Sequence, residues 1–156
     1  MFGKVKKLYF VGIGGAGMSG IAEILNNLGY EVKGSDNTPS EITEYLQKQG
    51  MTIYDGHRAA NIEDVDVVVI SSAVGEENPE VVEARRQGIP VIKRAEMLGE
   101  LMRLKFSIGV SGTHGKTTTT SMIGKILQHG NYQPTLIVGG VVAELGTGAA
   151  LGSGEY

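Results

Sequence analysis

Short apolar runs alternate with amphipathic segments along most of the chain. The apolar runs predict strands because they are rich in β-branched and aromatic residues. The segments between them predict helices, as in 18–28, where Met18, Ile21 and Leu25 recur at helical spacing. Over the first two thirds of the chain, the predicted strands are 7–13, 30–36, 51–54, 65–73 and 89–94, and the predicted helices are 18–28, 38–50, 78–88 and 95–103.

This order of elements predicts the fold. The run VDVVVISSA at 65–73 has an unbroken apolar centre, which is typical of a strand buried on both faces of a parallel sheet. Strands that alternate with helices over short connections predict an α/β fold, a Rossmann-like doubly wound parallel sheet, over 1–104. Thr38, Pro39 and Glu41 fit a capping box at the start of the second helix.

The strand–helix pattern restarts at residue 105. A strand at 105–112, a loop and helix at 113–130 and a strand at 135–140 predict the start of a P-loop α/β domain over 105–156. These elements are too few to close such a sheet, so we expect the domain to be incomplete and the chain to be the N-terminal part of a longer protein. We also expect the residues after about 139 to be mobile, because their glycines lack sheet partners.

The first of two glycine-rich turns follows the first strand. Gly12, Gly14 and Gly17 fit G-x-G-x-x-G before an amphipathic helix, and Asp36 ends the second strand about 20 residues on. Glycines there let the backbone approach a diphosphate at a helix N-terminus. The alternative is that the glycines only make a tight turn and that Asp36 is a turn residue.

The second turn, GTHGKTTTT at 112–120, predicts a P-loop. Backbone N–H groups around Gly112 and Gly115 would wrap phosphate oxygens, Lys116 would reach the β- and γ-phosphates, and the Thr117 hydroxyl would bind Mg²⁺. Val110 stands where the general pattern has glycine. His114 fills a variable position of the loop, and a catalytic role for it is less favoured.

Four further side chains follow strands of the predicted sheet. Ser71 and Ser72 end the fourth strand, at the edge where open parallel sheets bind ligands, although turn-forming serines are an equal alternative. His57 and Arg94 could contact an anion, or be solvated surface residues. All four remain candidate ligand contacts.

Composition narrows the function. The 156 residues carry a net charge of -3, which gives no basic footprint for nucleic acid. The absence of cysteine excludes disulfides and thiolate metal sites and permits a cytoplasmic location, which we expect. No apolar run approaches the roughly 20 residues of a membrane span, so no membrane partner is expected.

Several separated motifs together resemble the Mur ligases. They are VGIGGAGMSGIA at 11–22, GSD at 34–36, SSAV at 71–74, RAEMLGELMR at 94–103 and GVSGTHGKTTTTSMI at 109–123. The likeness spans the whole chain, and it is strongest to the members that join L-alanine to UDP-N-acetylmuramate at the expense of ATP.

The resemblance implies a role for each motif. The first domain would bind the UDP substrate without a nicotinamide cofactor, and the second would bind ATP and Mg²⁺. The family's Mg²⁺-binding glutamate and amino-acid site lie beyond residue 156, so we expect the chain alone to be inactive. The implied UDP-substrate contacts are Gly12, Gly14, Gly15, Ala16, Gly17, Met18, Asp36, His57, Ser71, Ser72 and Arg94. The implied ATP contacts are Gly112, Thr113, His114, Gly115, Lys116, Thr117 and Thr118, with Lys116 catalytic and Thr117 the metal ligand.

Two other functions remain open on the residues alone. A NAD-dependent oxidoreductase or NAD-binding regulatory domain would use the first glycine turn and Asp36, but leaves the P-loop unexplained. A nucleotide-dependent assembly protein would use the P-loop as a switch, but the sequence shows no exposed apolar stripe that would support it.

Overall fold

The computed structural model describes residues 5–15, 17–142 and 147–156, except for the side chains of 140–142 and 147. A five-stranded parallel sheet has the order β3-β2-β1-β4-β5, and this confirms the predicted Rossmann-like fold. Its strands are β1 Lys7–Val11, β2 Glu31–Asp36, β3 Thr52–Asp55, β4 Val67–Ile70 and β5 Val91–Lys93.

Helices cover both faces of this sheet. Alternate residues of β1 point to opposite faces, so Leu8 and Phe10 pack with α1 while Tyr9 and Val11 pack with α3. The helices are α1 Ser19–Asn27, α2 Glu41–Lys48, α3 Pro79–Arg86, α4 Arg94–Met102 and α5 Lys116–His129. Arg94, predicted as the end of a strand, is the first residue of α4.

The predicted cap of α2 is wrong by two residues. Ser40 is the N-cap, with its Oγ accepting from the Thr43 N–H and the Thr43 Oγ1 accepting from the Ser40 N–H. Thr38 instead belongs to the preceding turn, because its N–H donates to Asp36 Oδ1. Asn78 caps α3, with its Oδ1 accepting from the Glu80 N–H at 2.9 Å.

The predicted strand at 105–112 is absent. Residues 106–110 have no regular structure, and the Phe106 N–H donates to the Glu155 carbonyl rather than to a neighbouring strand. A β-pattern forms a strand only where another strand is there to pair with it, and none of the described strands runs beside this segment. Phe106 is left 71% exposed as a result.

Residues 140–142 and 147–150 belong to paired strands, so the expectation that the glycines after 139 lack sheet partners is wrong for these residues. Strand β6 Leu136–Val142 pairs antiparallel with β7 Thr147–Ala150, and the hairpin packs on α1, where Ala149 is buried. A methyl group on Gly20 of α1 would lie 3.1 Å from Ala149 Cβ, so the two elements are in close contact. The end of the chain is also held, because the Thr135 N–H donates to the Tyr156 carbonyl.

Helix α5 carries an apolar stripe that the sequence pattern did not reveal. Met122 and Ile126 are one helical turn apart and largely exposed, with Ile126 at 70%. None of the helices in the described part of the chain is long and apolar enough to span a membrane.

Gly34 in β2 offers a direct test of the packing beneath the glycine turn. A methyl group there would lie 2.7 Å from the Phe10 carbonyl oxygen and 2.8 Å from Ile13 Cδ1. We therefore expect Gly34→Ala to lower the free energy of unfolding by about 1–3 kcal/mol in urea titrations. Gly99→Ala is the matched control, because nothing lies within 4 Å and alanine favours the helix. Equal stability of the two variants would contradict this packing.

Candidate nucleotide-binding sites

The first candidate site lies where the strand order of the sheet reverses. Val11 of β1 is in register with Ile70 of β4, so the turns that begin at Gly12 and Ser71 leave the sheet side by side. Helices α1 and α3 then continue to opposite faces. In open α/β sheets this is the crevice that takes ligands.

Strand β2 fixes the glycine turn. The N–H groups of Gly12 and Ile13 donate to the Ser35 carbonyl at 2.9 and 3.0 Å, and the Gly14 N–H donates to Asp36 Oδ2 at 2.8 Å. Gly12 has a φ of +74°, and a methyl group on Gly14 would lie 2.9 Å from Asp36 Oδ2. The turn therefore needs glycine both for conformation and for contact.

Arg94 reaches across the crevice to the same turn. A methyl group on Gly17 would lie 3.0 Å from Arg94 Nη1 and 3.2 Å from its Cζ, so the guanidinium lies against the backbone at Gly17. Arg94 is therefore not a solvated surface charge. Its guanidinium lies at the N-terminal end of α1. Gly15 lies within this turn, Met18 is buried beneath it, and Ala16 lies outside the described residues.

The N-termini of α1 and α5 lack the caps and acidic residues that other helices have, and this suits the binding of anions. Helices α2 and α3 begin with a side-chain cap and a glutamate in the first turn. Helices α1 and α5, which follow the two glycine-rich turns, have neither a side-chain cap nor an acidic residue there. In α1 the Ser19 N–H already donates to the Gly15 carbonyl, but neither a side-chain cap nor an acidic residue offsets the positive dipole end of either helix, and these ends can attract an anionic ligand.

Asp36 is already engaged by the protein. Its Oδ2 accepts from the Gly14 N–H, its Oδ1 accepts from the Thr38 N–H at 3.1 Å, and its carbonyl accepts from the Gly56 N–H. These contacts tie the glycine turn to the loop after β3. Each carboxylate oxygen keeps a second lone pair, so Asp36 can still accept from a hydroxyl of a ligand.

His57 is not a solvated surface residue. Its side chain is 15% exposed, and Nδ1 lies 2.8 Å from Ser35 Oγ and 3.1 Å from Glu80 Oε2. Glu80, at the start of α3, is fully buried, and it also accepts from the Tyr9 hydroxyl at 2.7 Å. Burial and the neighbouring Glu80 raise the pKa of the Tyr9 phenol, which keeps it a donor.

Sequence reasoning missed Glu80 altogether. Its only signal is the run NPE at 78–80, which predicts the start of a helix and an acidic residue in the first turn. Such residues normally lie at the surface, so the pattern gives no warning of a buried carboxylate.

The two serines after β4 differ in environment. Ser71 is half-buried, and its Oγ accepts from the Ala73 N–H at 3.3 Å, which supports the turn-forming alternative without excluding donation to a ligand. Ser72 is exposed at the same edge.

The second candidate site is the exposed loop before α5. Gly112 and Gly115 have φ of +149° and +77°, and Lys116 Nζ folds back to donate to the carbonyls of Gly112 and Thr113 at 2.6 and 3.2 Å. Thr113, His114, Thr117 and Thr118 are exposed in or beside this loop. Among the residues that the structure describes, no group of three His, Asp or Glu side chains is placed to hold a metal ion.

Comparison with known proteins identifies the family of this chain. A profile of the Mur ligase family, catalytic domain, matches residues 7–106. The chain belongs to the Mur ligase family. This Mur ligase chain is 61% identical over its whole length to a UDP-N-acetylmuramate–L-alanine ligase of Pelobacter propionicus, of which it covers 34%. The chain thus spans about a third of the curated relatives it matches.

Solved structures of related ligases share the fold. A UDP-N-acetylmuramate–alanine ligase of Thermotoga maritima is 39% identical, with a TM-score of 0.89 over 96% of this chain and 35% of that one. A UDP-N-acetylmuramate:L-alanyl-γ-D-glutamyl-meso-diaminopimelate ligase of Neisseria meningitides is 33% identical, with a TM-score of 0.86 over 94% of this chain and 47% of that one.

Proposed function

We propose that this chain supplies the UDP-substrate site and the ATP phosphate loop of a UDP-N-acetylmuramate–L-alanine ligase of peptidoglycan synthesis. The observation that carries the proposal is the Arg94 guanidinium against Gly17, at an uncapped helix N-terminus beside the switch point of the sheet. The match to curated ligases of that name, over the whole of this chain and 34% of theirs, supports the choice of substrate.

A diphosphate suits the first site. Its charge would meet the N-terminal dipole of α1 and the planar donors of Arg94, while the glycine turn admits phosphate oxygens close to the backbone. Ser71, Ser72 and His57 follow β4 and β3 at the same carboxyl edge and would contact the remainder of the UDP substrate.

ATP suits the second site. In the proposed reaction, a lactyl carboxylate oxygen attacks the γ-phosphorus and ADP leaves. The amine of L-alanine then attacks the acyl carbon, phosphate leaves, and the amine loses a proton as the amide forms. Lys116 would swing from the carbonyls of its own loop to the phosphates, and Thr117 would hold Mg²⁺, which neutralises phosphate charge.

We assign these sites to two units, 1–104 and 105–156. The five-stranded sheet and α4 end at residue 102, and the P-loop and hairpin follow. The units share an interface, because β7 packs on α1.

Calorimetric titration with UDP-N-acetylmuramate, alongside NADH, tests the proposal. We expect saturable binding of the sugar nucleotide and none of NADH, because the relatives that match this chain over its whole length are ligases of that sugar nucleotide. Binding of NADH alone would instead place the chain among nicotinamide-dependent proteins.

The phosphate loop has its own test. Lys116→Ala removes the cation that would contact the phosphates, so we expect affinity for ATP–Mg²⁺ to fall about tenfold or more by calorimetry. Lys48→Ala in the last turn of α2 is the control and should leave the affinity unchanged. Equal ATP affinity in the Lys116 variant would contradict the assignment.

A further inference from the structure

The surroundings of the buried Glu80 carboxylate are made of hydrogen-bond donors. Oε1 accepts from the Tyr9 hydroxyl, from Asn61 Nδ2 at 2.7 Å and from the Arg58 N–H at 3.3 Å. Oε2 accepts from the Ser35 hydroxyl at 2.6 Å and lies 3.1 Å from His57 Nδ1. An ionised carboxylate, which only accepts, matches this environment on both oxygens.

This arrangement determines which nitrogen of His57 carries the hydrogen. The Ser35 hydroxyl donates its hydrogen to Glu80. Ser35 Oγ can therefore only accept from His57 Nδ1. Both neighbours of Nδ1 are therefore acceptors, and Nδ1 must carry a hydrogen. In the neutral ring, Nε2 is then the bare nitrogen.

Nε2 faces outward, where a ligand can reach it. It has no partner among the described contacts of His57, yet no buried side-chain nitrogen or oxygen lacks a partner in the described part of the chain, so solvent reaches Nε2. The loop that carries His57 is tied to the glycine turn through Asp36, which accepts from the Gly56 N–H and from the Gly14 N–H. His57 thus belongs to the edge proposed for the UDP substrate.

We propose that Glu80 is a positioning residue of the UDP-substrate site: it holds the hydrogen of His57 on Nδ1 and so presents Nε2 as an acceptor to a hydroxyl or N–H group of the nucleotide. This inference rests on the proposed function for the identity of the ligand. It assigns a ligand-directed role to a buried carboxylate that no substrate touches.

Glu80→Gln is the informative variant, because the amide it introduces has a preferred orientation. The donors on the Oε1 side are fixed, since Arg58 contributes its backbone N–H and Asn61 Nδ2 also donates to the Gly56 carbonyl. The new NH₂ group therefore turns toward Ser35 and His57, which can rotate or change tautomer. We expect it to move the hydrogen of His57 from Nδ1 to Nε2.

Nitrogen-15 NMR of the imidazole rings reads this change without any ligand. The wild-type chain should show a bare Nε2 on His57 at a pH where the ring is neutral, and Glu80→Gln should show a bare Nδ1. His57→Ala assigns the signal among the three histidines of the chain. Nε2–H in the wild-type ring would overturn the proposal, even if Glu80→Gln failed to fold.

Affinity for UDP-N-acetylmuramate gives the second readout. Glu80→Gln should weaken binding about tenfold, but should add nothing in a His57→Ala background, because the effect passes through that ring. Tyr9→Phe is the matched control: it removes a bond to Oε1 of the same carboxylate, and should lower stability while leaving tautomer and affinity unchanged. If Glu80→Gln weakened binding also in the His57→Ala background, or if Tyr9→Phe weakened binding equally, the role of Glu80 would be structural only.

The two proposals fail separately. A wild-type chain that does not bind the sugar nucleotide would overturn the proposed function and the choice of ligand. The tautomer of His57 in the wild type and in Glu80→Gln would still show whether Glu80 holds the hydrogen of the ring on Nδ1.

Discussion

Glu80→Ala is expected to lower the free energy of unfolding by about 3–4 kcal/mol, the largest stability effect we predict. The substitution removes the acceptor of the buried hydroxyls of Tyr9 and Ser35, and it removes one of the two acceptors of the Asn61 amide, which keeps the Gly56 carbonyl. Each unsatisfied buried donor costs about 1–3 kcal/mol, of which rotation of the two hydroxyls recovers a part. Urea unfolding followed by circular dichroism measures the change.

Glu83→Ala is the matched control on the same helix. Glu83 forms an ion pair with Arg86 at the surface of α3, and the hydrogen bonds from Arg86 and Gln87 lower its pKa to about 2. Arg86 is 70% exposed, so solvent screens much of this pair, and the urea midpoint should move clearly less than in Glu80→Ala. If both substitutions had the same effect, the buried network would not be what stabilises this end of α3.

Arg94→Ala is expected to weaken binding of UDP-N-acetylmuramate about 10- to 100-fold. This range corresponds to the loss of roughly 1.5–3 kcal/mol for hydrogen bonds to a charged group. The guanidinium lies against Gly17, where the diphosphate would approach the turn. Calorimetry at constant salt gives the ratio, and affinity for ATP–Mg²⁺ should stay the same.

Lys93→Ala is the control that separates the effect of the position of Arg94 from the effect of its charge. Lys93 precedes Arg94 and is exposed, so its loss changes the net charge equally without touching the glycine turn. Screening at physiological salt should hold its effect below about threefold. A similar loss in both variants would show that Arg94 acts only through overall charge.

The sequence predicted the first sheet well because each of its elements is consistent with its neighbours. The apolar run at 67–70 is buried on both faces, and Gly12, Gly14 and Gly17 follow β1 as their spacing indicates. Local pattern and tertiary environment agree there, so periodicity was sufficient.

The errors arose where the tertiary environment decides. The run at 105–112 has a strand pattern but no neighbour to pair with, whereas the glycine-rich end of the chain forms a hairpin on α1. The N-cap of α2 was also predicted wrongly. Thr38 is a residue type that often caps helices, but its N–H donates to Asp36 Oδ1 in the preceding turn.

The motifs predicted which residues are candidates for the site, but they did not predict which atoms these residues contact. Motifs predicted Arg94 and His57 as candidates without showing that one meets Gly17 and the other Ser35. The role of Glu80 could not be predicted, because it comes from side chains on three separate segments that only the fold brings together.

An amide NMR titration of the chain with UDP-N-acetylmuramate shows directly which residues contact the sugar nucleotide. We expect saturable shifts to concentrate at the switch-point edge of the sheet, in 12–18, 56–58, 71–72 and at Arg94, while 112–118 respond only to ATP–Mg²⁺. Shifts confined to 112–118, or absent from the glycine turn at saturation, would contradict the assignment of the first site to the UDP substrate.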